Sequence, residues 1–177
     1  MSKYPTVKLG DVCEKASSSI AQKDIENNVG EYPIYGASGK IKSVDFYKQE
    51  RDYIAIVKDG AGIGRTMLLP AYSSIIGTMQ YILPKKDICT KYLFYAITSM
   101  NLAKYFSGAT IPHIYFKDYK NETLPLPEIK VQEKIVCIFD KITALISKRK
   151  EQLAKLDLLA KSRFFGESTT AELRGVA

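Results

Sequence analysis

PEIKVQEKIVCIFDKITALISKRKEQLAKLDLLAKSRFF, residues 127–165, holds a proline only at its first position and no glycine. Pro127 suits a first helical turn, where its missing N–H has no intrahelical partner to lose. Glu128 follows where the positive end of the helix dipole favours a carboxylate. Apolar residues then recur at Ile135, Phe139, Ile142, Ile146, Leu153, Leu156 and Ala160, in steps of four and three completed by Arg149 and Arg163. That alternation is a heptad seam, and Ile138, Leu145 and Leu159 widen it. About 38 residues of helix span ~57 Å. A domain built from the preceding ~125 residues has a radius of gyration of only ~14 Å. A helix folded back along its own domain would overrun it, so the seam is expected to serve as a dimerisation surface in a coiled-coil arm over 128–166. Residues 167–177, polar and rich in small side chains, are expected to form a flexible tail.

Before Pro127 the pattern is different. Residues 1–127 are rich in Tyr, Gly and Ile, with short apolar runs bounded by Gly, Pro or Asp. DYIAIVK (52–58), RTMLL (65–69) and MQYIL (79–83) read as strands. YGASGK (35–40) and KDGAGIGRT (58–66) read as glycine-bearing turns, where positive φ is easily adopted. One helix is expected at Thr90–Phe106, where Leu93, Ala96, Ile97, Leu102 and Phe106 approximate a helical stripe ended by Ser107-Gly108. The fold class is therefore α+β: a compact mixed domain, then one long C-terminal helix.

Composition narrows the functions. The chain carries 26 Lys and Arg against 19 Asp and Glu, a net charge of +7, which suits polyanionic partners. Three cysteines at wide spacing and one histidine offer no zinc set, and no metal or cofactor is expected. Reduced, mostly buried thiols are expected. No segment has the length of a signal peptide's apolar core or of a membrane span, so a cytoplasmic protein without membrane contact is expected. The glycine-rich 60–66 run fails as a phosphate loop, because Asp59 stands at the first glycine position and Arg65 at the lysine. It fails as a dinucleotide fingerprint too, lacking the spacing and the acidic residue downstream. His113 has no nucleophile-bearing motif to serve, so catalysis is not expected.

Read in order, VKLGDV (7–12), GEYPIYGASGKIKSVDFY (30–47), YIAIVKDGAGIGRT (53–66), GATIPHIYFKDYKNETLPLPEIKVQEKI (108–135) and FFGE (164–167) closely resemble the DNA-specificity subunit of type I restriction–modification enzymes. The most specific part is Gly108, Thr110, Pro112, Leu124, Leu126, Pro127, Gln132, Lys134 and Ile135, leading into the helix. The resemblance implies a target recognition domain over 1–127 and a conserved spacer helix. It implies that methylation and restriction belong to partner subunits, so that this chain is not itself an enzyme. In that family two such units stand in tandem, each reading half of a bipartite site on double-stranded DNA, with their helices packed antiparallel. This chain carries one unit, which implies a half-size subunit that self-associates or one half of a longer protein. The alternative is a non-catalytic protein-interaction scaffold with a coiled-coil arm.

DNA reading needs cations for phosphates and forked or planar donors for base edges. Lys40, Lys42, Lys58 and Lys120 are the candidate phosphate contacts, chosen for their places near turns. Arg65, His113, Tyr115 and Lys117 are the candidate base readers, with Ser38 and Thr110 as small hydrogen-bonding partners. Of Tyr115 and Phe116, at least one is expected in the core.

Overall fold

The computed structural model describes residues 4–174 except Ala109, with side chains described through Ser162. It separates into two compact units, Met1–Val136 and Cys137–Ala177.

The first unit is built on a four-stranded antiparallel sheet. Its order is β2 (Cys13–Ser17), β8 (Met79–Pro84), β5 (Tyr53–Val57) and β6 (Thr66–Leu69). Strand β5, YIAIV, is buried at every position because both of its faces are covered. Ile54 and Ile56 pack on one face with Ile82 and with Tyr92, Leu93 and Ile97 of α2 (Thr90–Ser99). Tyr53, Ala55 and Val57 pack on the other face with Met79, Tyr81 and Ile75. A strand covered on both faces reads as a continuous apolar run, which is how it stands in the sequence. A second sheet pairs β3 (Tyr32–Gly36) with β4 (Gly39–Val44) in a hairpin and with β7 (Ser74–Ile75) in parallel. Strand β1 (Thr6–Lys8) pairs with β9 (Thr123–Pro125), which brings the start of the chain beside the approach to the long helix. The short helices α1 (Leu9–Val12) and α3 (Phe116–Tyr119) complete this unit.

Three expectations need correction. The helix placed over 90–106 stops at Ser99, where Asn101 turns left-handed at φ 49° and a 3-10 turn, Leu102–Tyr105, follows. Asn enters that region more readily than most residues, so the stripe continues across a break. The thiols are free, but only Cys13 is buried, with Cys89 half-buried and Cys137 exposed. Burial raises the Cys13 thiol to about 12, which keeps it un-ionised. The third concerns the long helix, α4, which covers Ile129–Arg174 and so runs past the expected start of the tail; residues 175–177 lie outside the described residues. Among the described residues no helix is long and apolar enough to cross a membrane.

The first turns of α4 belong to the compact unit. Glu128 accepts from Val131 N and Gln132 N through its carbonyl, and the helix starts at Ile129, two residues after Pro127, which therefore precedes the first turn instead of standing in it. Gln132 is fully buried, and its amide meets three backbone groups. Cys89 N donates to its Oε1 at 2.9 Å, and its Nε2 donates to Pro127 O at 2.9 Å and Asp87 O at 3.2 Å. Ile135 and Val136 pack against the cluster around Leu93. Ile135, expected on the seam, is half-buried against the domain core. In the second unit the remaining seam positions through Ala160 are exposed, Phe139 at 43%, Ile142 at 45% and Leu156 at 60% among them. Arg163 lies outside the residues whose side chains are described.

Candidate nucleic-acid interface

The loop Lys58–Arg65 between β5 and β6 is folded by three glycines at positive φ, Gly60, Gly62 and Gly64. Gly64 N donates to Val57 O and Val57 N to Arg65 O, so the loop closes directly onto the hairpin. A Cβ on Gly64 would stand 2.6 Å from Ala103 N, so a side chain there would collide with the 3-10 turn. From the far end of the loop, Arg65 Nη1 donates to Ala37 O at 2.8 Å, in the turn of the β3–β4 hairpin. Ser38 and Lys40 stand exposed in and just after that turn. One of the five guanidinium donors is thereby used to position the fork.

The other side of the loop is joined to the stretch around His113. Gly60 N donates to Pro112 O at 2.9 Å and Ile114 N to Lys58 O at 2.9 Å. His113 also exchanges backbone hydrogen bonds with Ser107, so its main chain is paired on both sides. Gly108 makes that possible: it sits at φ 97°, and a Cβ there would stand 2.5 Å from Ile111 O. Of Ser107, the hydroxyl donates to the His113 carbonyl at 3.3 Å and does not engage the imidazole, as a nucleophile would.

The side chains then line up. Lys58 Nζ donates to Asp59 Oδ2 at 2.6 Å, and His113 Nδ1 lies 2.7 Å from Asp59 Oδ1. Partial burial opposes ionisation of Asp59, but the bonds from Lys58 and His113 outweigh it and hold the carboxyl below its usual range. An ionised carboxylate can only accept, so Nδ1 carries the proton that points at Asp59. Tyr115 is half exposed, roughly parallel to the His113 ring, with Lys117 Nζ 5.3 Å from its centroid. Its neighbour Phe116 is half-buried and packs against the core, so neither of this aromatic pair is fully buried.

The candidate residues therefore fall into groups. Ser38, Lys40 and Arg65 meet at one end of the glycine loop, and Lys58, His113, Tyr115 and Lys117 at the other. Thr110 is exposed in the turn that follows Gly108. Lys42 Nζ donates to Glu26 O, whereas Lys120 is exposed, its backbone carbonyl accepting from Gly10 N beside α1. Lys58 is not a lone cation, because Asp59 shares its charge. The sequence placed Asp59 only in the glycine-rich turn, not among the site residues. Its partner is 54 positions away, and only the strand pairing reveals it.

The sequence profile described as the type I restriction modification DNA specificity domain matches residues 1–156. The chain belongs to that family. A putative type I specificity subunit of Mycoplasma pneumoniae is 31% identical over 173 residues, covering 85% of this chain and 70% of that protein. A putative type I restriction enzyme specificity subunit of Haemophilus influenzae is 25% identical over 133 residues, covering 72% of this chain. The fold matches the crystal structure of a type I restriction-modification S subunit from M. genitalium, with a TM-score of 0.66 at 16% identity over 87% of this chain. This chain spans 34% of the Haemophilus protein and 41% of the M. genitalium chain.

Proposed function

We propose that the specificity domain reads one half of a bipartite site on double-stranded DNA through the surface around the glycine loop. The supporting observation is the convergence on that loop of Arg65, His113, Tyr115 and Lys117, side chains able to address base edges. Hydrogen bonds hold the loop from both sides, the Arg65 guanidinium to Ala37 O on one and backbone pairs with Pro112 and Ile114 on the other. A fixed loop limits the conformational entropy lost when those side chains meet a groove. Lys40 supplies exposed positive charge beside them for phosphates.

Helix α4 pairs with the helix of a second copy or second half, giving an antiparallel two-fold arrangement and an inverted, interrupted site. Its exposed seam from Ile142 to Ala160 supports that pairing, since contiguous apolar surface of this kind marks an interaction site. The assembly recruits methylation and restriction subunits and works on DNA in the cytoplasm.

Light scattering on the full chain, alone and mixed with the methylation subunit, tests the pairing. The expected result is a dimer that enters the larger assembly, and a monomer under both conditions sinks it. Selection from a randomised duplex pool, repeated across a salt series, tests the reading. A defined half-site with a negative salt slope is expected, and uniform recovery of all sequences overturns it.

A further inference from the structure

Most of the molecule's unexplained chemistry lies in one pair. His113 is the only histidine, and its Nδ1 faces an acid on a neighbouring loop rather than solvent. Backbone bonds on both sides of the pair fix its geometry: Gly60 N to Pro112 O and Ile114 N to Lys58 O. Asp59 cannot turn away freely either, because Lys58 Nζ holds its second oxygen.

We infer that Asp59 is the positioning residue that fixes the tautomer of His113 and so decides which base edge that histidine reads. The inference rests on the DNA-reading role proposed above. With Nδ1–H directed at Asp59 Oδ1, a neutral His113 presents Nε2 as a lone pair. An acceptor at that place matches an amino group, adenine N6 or cytosine N4, and has no bond to offer guanine O6 or N7. The charged and titratable groups around the ring are Asp59, Lys58 beyond it, Tyr115 alongside, and Lys117 over Tyr115. Asp59 makes no base contact in this scheme. It acts through the imidazole, much as a buried acid sets the tautomer of a catalytic histidine.

The test uses the full chain and a randomised duplex pool, read as base preference at each position. Asp59→Asn keeps the shape but lets the side-chain amide donate to Nδ1 as well as accept from it. It is expected to lower discrimination at one position roughly tenfold while leaving the others unchanged. His113→Ala should lose discrimination at that same position, and the double variant should lose no more than either single one. Asp59→Glu, which keeps an accepting carboxylate, should recover part of it.

The inference is overturned if Asp59→Asn shifts affinity for all sequences alike, or changes a different position from His113→Ala. If Asp59→Asn does not fold, Asp59→Glu and His113→Ala decide between the same outcomes. A wild-type chain that selects no sequence at all overturns the DNA-reading proposal itself, a distinct result.

Discussion

The compact unit and the C-terminal helix handle apolar surface in opposite ways. In the compact unit Tyr53, Ile54, Ile56, Ile82, Leu93 and Ile97 are sealed almost completely. In the helix unit Ile142, Leu145, Ile146, Leu153, Leu156 and Leu159 are each about half exposed or more. Burial of one such side chain contributes ~1.5–3 kcal/mol, so the first set stabilises the unit that holds it. The second set contributes nothing until another surface covers it. On the proposed pairing, stability and association lie in different places. Variants should separate the two.

The largest effect is expected where the open surface is closed by a partner. Ile142→Asp combined with Leu156→Asp places two unpaired charges in the proposed helix–helix seam, at ~3–5 kcal/mol each once buried. Self-association should vanish by light scattering, while the melting of the compact unit stays where it was. If the dimer persists, the seam is not the interface and the contrast between the regions is only one of exposure.

The converse variant is Ile54→Ala. It opens a cavity between β5 and α2 and should cost the compact unit ~2–5 kcal/mol, read as a lower urea midpoint at unchanged slope. Below its transition the protein should associate as before. A loss of association in step with the loss of stability would show that the two regions are not independent.

How far each region was legible follows the same division. The helix rests on contacts between residues three and four apart, so a single stretch of sequence carries its period, and Phe139 to Ala160 are where the spacing put them. Strands β5, β6 and β8 were legible for a similar reason, because each is a short β-rich run with turn residues at its ends. The pairing of β1 with β9 and of β3 with β7 joins residues far apart in the chain, and no local pattern states it. Asp59 shows the same limit at the site. KDGAGIG announces a turn, but nothing in it announces that the acid meets His113. Ile135 shows it once more, since the seam's period continues smoothly from a position used by the core to positions left open.

Gln132 sits at that changeover, and its removal is the next smaller effect. Gln132→Ala takes away the acceptor of Cys89 N and the donor to Pro127 O and Asp87 O. Leaving buried backbone groups unpaired costs ~1–3 kcal/mol. Hydrogen exchange should quicken at Cys89 and over the first turns of α4, with less change in β5. Gln132→Glu keeps the acceptor but loses the donor, and should fall between the wild type and the alanine variant.

The smallest expected effect is a pH dependence confined to the compact unit. Asp59 is held below its ordinary pKa of 3.8 by bonds from Lys58 and His113 that outweigh its partial burial. A carboxyl with a depressed folded-state pKa stabilises the fold above its unfolded-state pKa and loses that contribution as pH falls through the folded value. The loss should therefore begin near about pH 4 and grow below it. Asp59→Asn, which has no proton to gain, should be the less stable protein at neutral pH, and its deficit should shrink steadily on acidification. Urea midpoints taken at about pH 6 and about pH 3 measure the difference directly. A deficit that does not change between them would mean that the carboxylate's charge adds nothing to its hydrogen bonds. Asp59 would then hold His113 by shape alone, and the compact unit's loop would be set entirely by the backbone bonds at Gly60 and Ile114.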